Sequence, residues 1–141
     1  MIEGLILSKL ATFSSKDGAV YHNLRSSDPG YLGFGESYFS FIEYNAVKAW
    51  KLHQKMTLNL VVPVGMVRFN FIDLREQSDT YKLRFEVTLS FENYQRITVP
   101  PKILFGFKGL EEGINMISNI TDMVHIDEEC INIDRNKYEF K

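Results

Sequence analysis

Residues 81–91, YKLRFEVTLSF, alternate without a break. Leu83, Phe85, Val87, Leu89 and Phe91 are apolar, and Lys82, Arg84, Glu86, Thr88 and Ser90 are polar. Successive strand side chains point to opposite faces, so the pattern fits a strand with one buried and one wet face. MVRFNFID repeats the period, with Val67, Phe69 and Phe71 set against Arg68 and Asn70. QRITVP and GINMISNI read as further strands, MIEGLILSKLA as a first strand, and LNLVVPVG as a β-branched run bounded by Pro63 and Gly65. Turn clusters separate them. SSDPGYLGFG (26–35) is a loop, LREQSD joins two strands, VPPK starts another, and GLEEG reads as a hairpin connection. The only helical expectation is a turn near Asp127–Ile131. Many short strands with regular turn signals predict an all-β sandwich or barrel, as a single domain over residues 1–141 with the charged tail IDRNKYEFK on its surface.

A chain of 141 residues can bury one sizeable core but not comfortably two. Its net charge of −2 and lack of any basic tract leave no electrostatic footprint for nucleic acid. The one cysteine, Cys130, allows no internal disulfide and no Cys-based zinc site, and fits a reducing, cytoplasmic setting. Glu3 interrupts the apolar start and no cleavage-site pattern follows, so a signal peptide is not expected. No run approaches membrane-spanning length.

Three histidines, His22, His53 and His125, are the candidates for metal or base chemistry. A cupin metal site needs two histidines spaced one apart on a strand, a nearby acid and a late-strand histidine. Here Lys51 precedes His53 by two, no acidic residue follows before Gly65, and Phe105 stands on the later strand, so no metal is expected. There is no G-x-S-x-G elbow, and GYLGFGE is not placed between a strand and a helix as a phosphate loop would be. What remains is Lys51, His53, Lys55, Thr57 and Asn59 at spacing two. Turned into a barrel, this row offers a histidine base beside ammonium groups. Turned outward, it is a solvated face and His53 is incidental.

The order of motifs resembles the dTDP-4-dehydrorhamnose 3,5-epimerase family, and within it a short branch. KDGAVYHNLR is similar to the family's Arg-Gly turn and aromatic strand, and VKAWKLHQ to its Arg-Gly-Leu-His segment. PVGMVRFNFIDLREQSDTY resembles the strand ending in Asp-x-Arg with Ser-x-Thr, and LSFENYQRITVPPKILFGF the block ending in His-Gly-Phe. NITDMVHIDEE looks like the acidic turn of the short branch.

The resemblance implies a cupin, or double-stranded β-helix (jelly-roll), barrel. It implies a nucleotide-sugar 4-keto epimerase or isomerase of deoxysugar or polysaccharide biosynthesis that abstracts a proton beside a ketone. His53 then takes the base position, and Lys51 or Lys55 stabilises the enolate. The chain departs from the family pattern at Trp50 (arginine), Phe105 (histidine) and Ser118 or Asn119 (the reprotonating tyrosine). Asp127 is the conjectured orienting acid. Tyr21, His22 and Arg25 correspond to the nucleotide end of the site, with Asn59 and Arg68 as further candidate contacts if they line the barrel. Arg75 reads as structural, capping a turn. The implied partners are a dTDP-4-keto-6-deoxyhexose-like sugar nucleotide and a second copy in a homodimer, with no cofactor, nucleic acid or membrane. Two rival readings stand beside this one: an inactive cupin that binds a sugar nucleotide or a protein partner, and a metal enzyme using His22, His53 and His125.

Overall fold

A computed structural model describes all residues, 1–141. The strands are β1 (Ile6–Lys9), β2 (Thr12–Ser15), β3 (Gly18–Tyr21), β4 (Glu36–Phe41), β5 (Val47–His53), β6 (Leu58–Val64), β7 (Met66–Asp73), β8 (Arg84–Ser90), β9 (Gln95–Val99), β10 (Ile103–Gly109), β11 (Met116–Thr121) and β12 (Cys130–Asn132). Helix is confined to two 3₁₀ turns, Asp127–Glu129 and Arg135–Lys137. Two five-stranded antiparallel sheets, ordered β1-β9-β6-β11-β4 and β12-β5-β10-β7-β8, face each other as a cupin jelly roll, and β2-β3 forms a separate hairpin.

The period-two pattern builds this directly. Phe69 and Phe71 of β7, Leu89 of β8, Phe105 and Phe107 of β10, Leu58, Leu60 and Val62 of β6, and Ile97 and Val99 of β9 form one core between the sheets. Their alternating neighbours face outward, where two segments cover them. The 23–30 loop lies over the first sheet, clamped by Arg96, which donates to the carbonyls of Asn23 (2.5 Å) and Pro29 (3.0 Å) and to Asp28 (3.1 Å). The tail covers the second sheet. Tyr138, Phe140 and Ile133 pack against buried Trp50, Ile72 and Leu104, and Lys141 exchanges backbone hydrogen bonds with the Asn70 side chain. The tail expected to be simply charged surface is therefore half core, because its aromatics close an otherwise wet apolar patch.

Two other expectations change. The 81–91 strand begins only at Arg84, since Lys82 sits at φ +66° in the turn after β7. GLEEG is no hairpin: β10 and β11 lie in different sheets, so the segment crosses between them. LREQSD does connect a paired hairpin, β7 to β8. In it Arg75 donates through Nε and a terminal nitrogen to buried Asp73, which also accepts from Ser78 and Thr80. Burial would raise the Asp73 carboxyl, but these donors outweigh it and hold it far below the usual carboxylate range.

Candidate active site

Between the sheets, at the end where β4, β5 and β12 meet, the core opens into a cavity of about 370 Å³. One wall is Glu36, Tyr38 and Ser40 of β4 with Asn119 of β11; the other is Lys51 and His53 of β5 with Cys130 of β12. Leu60, Phe69, Phe105, Phe107 and Ile117 also line it, and His125 joins from the segment after β11. The result is an apolar lining interrupted by a small number of polar groups, the usual form of a small-molecule site.

His53 is the last residue of β5 and is 7% exposed. Its ring stacks on Phe105, with centroids 6.0 Å apart at 19°. Nδ1 lies 2.7 Å from Glu129 Oε2, which leaves Nε2 as the ring nitrogen without a protein partner. Glu129 is itself fixed, because Oε1 accepts the backbone N–H groups of Lys55 and Met56, each at 2.9 Å. Burial would raise this carboxyl, but the His53 bond and the two backbone donors hold it below its ordinary value. The carboxylate is therefore ionised and accepts the Nδ1 proton, so that in the neutral ring Nε2 is the nitrogen carrying the lone pair.

A β-bulge shapes the other end of β5. Phe105 pairs with Lys51 and Phe107 with Lys48, so one extra residue of β5 is accommodated between them. Gly106 faces the bulge, and a methyl there would press on Ala49 at 2.7 Å. The bulge turns Trp50 to the outer face, where it is 1% exposed and donates to the carbonyl of Tyr138 at 3.1 Å. Lys51 keeps the cavity side, and no carboxylate engages its ammonium.

Of the residues singled out from sequence, Lys51, His53, Phe105, Asn119 and His125 line this cavity. The other proposed catalytic and binding residues lie elsewhere for identifiable reasons. Lys55 falls in the turn after β5, where the period lapses; its backbone N–H serves Glu129 and its side chain is exposed. Asn59 and Ser118 alternate outward beneath the 23–30 loop, Asn59 donating to the Gly30 carbonyl and accepting from Thr98, Ser118 accepting from Asn23. Arg68 faces outward because its neighbours Val67 and Phe69 fill the core. Tyr21 packs edge-on against Phe91 and Tyr94, and His22 and Arg25 lie together beside Asp28, on and after the β2-β3 hairpin and away from the cavity. Asp127 does not orient His53. Its Oδ1 accepts from His125 Nε2 at 2.9 Å near the mouth, and Glu129 holds the position conjectured for it. The three histidines do not converge, since His22 sits on the far hairpin side and His53 is committed to Glu129.

Glu129 and Tyr38 are the site residues that sequence reasoning missed. The signal for Glu129 was the acidic run DEE at the end of the matched NITDMVHIDEE motif. The signal for Tyr38 was the alternation of ESYFSF, read with its polar members turned inward.

The chain matches the family model described as dTDP-4-dehydrorhamnose 3,5-epimerase over residues 2–141. No curated protein matches it. Among solved structures, a dTDP sugar isomerase from Desulfovibrio desulfuricans G20 is 35% identical, with a TM-score of 0.92 over 96% of this chain and 87% of that one. The Bacillus anthracis str. Ames dTDP-4-dehydrorhamnose 3,5-epimerase, solved with TDP and PPi bound, is 18% identical with a TM-score of 0.84, covering 94% and 80%. The Legionella pneumophila enzyme RmlC, in complex with dTDP-4-keto-L-rhamnose, is 20% identical with a TM-score of 0.83, covering 95% and 74%. The last two likenesses establish shared architecture. The family match over nearly every residue, together with the Desulfovibrio relative, establishes descent: the chain belongs to the dTDP-4-dehydrorhamnose 3,5-epimerase family.

Proposed function

We propose that the protein is a nucleotide-sugar 4-keto epimerase or isomerase that works by removing a proton from a carbon beside the ketone. The observation that carries this is the buried His53–Glu129 pair, whose free Nε2 belongs to a cavity that Lys51 also lines. With Nδ1–H held by an ionised carboxylate, Nε2 is the proton acceptor, and the carboxylate stabilises the imidazolium once the proton has moved. The C–H electron pair passes into an enolate, and the charge gathers on the former ketone oxygen. The Lys51 ammonium, free of any carboxylate, is the group placed to hold it. Phe69, Phe105, Phe107, Ile117 and Leu60 keep bulk water from the reacting carbon.

The substrate class is a dTDP-4-keto-6-deoxyhexose. Support comes from the family, whose solved members include the Legionella complex with dTDP-4-keto-L-rhamnose and a Streptomyces bikiniensis 3'-monoepimerase complex with dTDP-quinovose. Polysaccharide or deoxysugar synthesis in the cytoplasm is the corresponding setting, and the single unpaired thiol of Cys130 fits it. No helix of the chain is long and apolar enough to cross a membrane. Tyr21, His22 and Arg25 stand outside this chain's own cavity, so their proposed contact with the nucleotide is best served across a homodimer, where each hairpin serves its neighbour.

Deuterium entry beside the ketone of dTDP-4-keto-6-deoxyglucose in heavy water, followed by NMR, tests the reading. Wild type is expected to exchange, and His53→Asn to exchange on the order of 100-fold or more slowly. A wild type at the enzyme-free rate overturns the assignment on this substrate and leaves a binding role, which titration with the nucleotide sugar measures.

A further inference from the structure

The wall opposite His53 is built against the usual rule of burial. On β4, Glu36, Tyr38 and Ser40 turn into the cavity, while Phe39 and Phe41 are 61% and 55% exposed. A strand arranged only to bury apolar surface would face the other way. Asn119 of β11, paired with Tyr38, adds an amide to the same wall. Proton abstraction by His53 and enolate stabilisation by Lys51 use the β5 wall alone, so that chemistry does not account for the polar wall facing it.

Asn119 stands out within it. It is 3% exposed, and it donates Nδ2–H to the Tyr38 oxygen at 2.8 Å, which fixes the amide. Its Oδ1 is buried with no hydrogen-bond partner. Turning the amide over only moves the deficit, since Oδ1 would take the Tyr38 proton and Nδ2 would be left unpaired. Two other buried side-chain atoms lack a partner, Asn23 Oδ1 and Arg96 Nε. Both belong to the clamp that holds the 23–30 loop on the outer face, and neither residue lines the His53 cavity. A buried amide oxygen without a donor destabilises the fold. An unpaired one on the wall of a small-molecule cavity points to a donor that the ligand brings.

We propose that Asn119 is a specificity-determining residue that accepts a hydrogen bond from the C2 hydroxyl of the sugar. The inference rests on the nucleotide-sugar reading above and narrows its substrate class to sugars that carry that hydroxyl. The choice of C2 follows from the chemistry of the substrate. A 4-keto-6-deoxyhexose has free ring hydroxyls at C2 and C3 only, because C1 bears the diphosphate, C4 is the ketone and C6 is a methyl. C3 stands beside the ketone, so its hydroxyl moves whenever that carbon is inverted. C2 lies one carbon further away and keeps its configuration through any proton transfer next to C4. A fixed, buried acceptor can therefore serve the C2 hydroxyl in substrate, enolate and product alike. Such a contact selects and holds the sugar without altering the chemical step. A site built around it rejects the analogue that lacks the hydroxyl, because its acceptor is then unpaired again.

Calorimetric titration with dTDP-quinovose and its 2-deoxy and 3-deoxy counterparts tests the assignment. None of the three has a ketone, so the readout is binding and not turnover. Wild type is expected to bind dTDP-quinovose about tenfold or more tightly than the 2-deoxy sugar, and to bind the 3-deoxy sugar nearly as well as the parent. Asn119→Leu, close in volume and apolar, should bind dTDP-quinovose and the 2-deoxy sugar alike. Asn119→Ala carries the same comparison should the first variant not fold. A wild type indifferent to the C2 hydroxyl overturns the proposal, and so does a variant that keeps the wild-type preference. A preference against the 3-deoxy sugar alone moves the contact to C3 and overturns the assignment to C2. Failure of the epimerase reading looks different: no deuterium exchange, with the C2 preference intact and lost in Asn119→Leu, supports Asn119 as the reader of the hydroxyl in a binding site. Exchange without the preference sinks this inference alone. A wild type that binds none of the three sugars removes the nucleotide-sugar reading and this inference with it.

Discussion

Glu129 serves two structures with its two oxygens: Oε2 takes the His53 Nδ1 proton, and Oε1 closes the turn after β5 through Lys55 and Met56. Glu129→Gln can keep the two backbone donors on its oxygen only by turning its NH₂ group toward Nδ1, which then accepts and drives the ring proton to Nε2. The fold is then held, but the tautomer is the one that cannot act as base. Loss of the charge opposite the imidazolium is expected to lower kcat about 100-fold. Glu129 is not part of the cavity wall, so KM should change little; steady-state kinetics showing a raised KM with kcat intact would contradict the orienting role. His53 and Lys51 were legible because strand alternation runs unbroken across them to the end of β5. The acid was not. Asp127, Glu128 and Glu129 are consecutive, and only the geometry of the 3₁₀ turn decides which one points inward. Tyr38 was hidden for another reason: the apolar members of ESYFSF are the stronger burial signal, and in this strand they face out.

The segment after β11 is a strap that carries Glu129 to His53, and its path is fixed at several points. Thr57 N–H donates to Asp122 at 2.8 Å, His125 N–H donates to Glu36 at 2.9 Å, and Thr121 Oγ1 donates to the Met123 carbonyl at 2.8 Å. The strap passes so close to Gly35 that a side chain there would overlap the Met123 backbone. Backbone cannot step aside as a flexible side chain can, so Gly35→Ala must displace the strap and pull Glu129 from its partners. We expect a lower melting temperature, by roughly 1–3 kcal/mol of stability for overpacking, and a loss of activity that Met123→Ala does not restore, because the overlap is with main-chain atoms. An active, fully stable Gly35→Ala would mean that the strap is not held where the hydrogen bonds place it. Strands were the most readable elements, β7 above all, since its turns and alternation agree; β6 was legible from its β-branched run, although it continues through Pro63 to Val64. Pairing across sheets was not readable: local pattern says where a strand lies but not which sheet it joins, which is how GLEEG passed for a hairpin.

At the scale of the whole molecule, the surface is unevenly finished. The outer faces of both sheets are covered by the 23–30 loop and the tail, yet β4 is an edge strand whose outward Phe39 and Phe41 stay exposed. The β2-β3 hairpin is a two-stranded sheet with Phe13 and Val20 61% and 59% exposed, and Leu32 and Phe34 add more apolar surface between it and β4 in the chain. An isolated two-stranded hairpin is marginal in water, and an uncapped apolar edge invites another strand. The homodimer proposed above would meet both by burying on the order of 1,600 Å² in total. The expected mass in solution is therefore about twice the 16.4 kDa of the chain, by light scattering at micromolar concentration. Phe39→Glu puts a charge into that apolar surface without touching the inward face of β4. It should shift the mass to a single chain and leave the far-ultraviolet β signature in place. If the hairpin also completes the neighbour's nucleotide site, the same variant should weaken nucleotide-sugar binding while His53 and Glu129 remain paired. A wild type that runs as a single chain, or a Phe39→Glu variant with unchanged mass, would send the search for what covers this surface to a different partner.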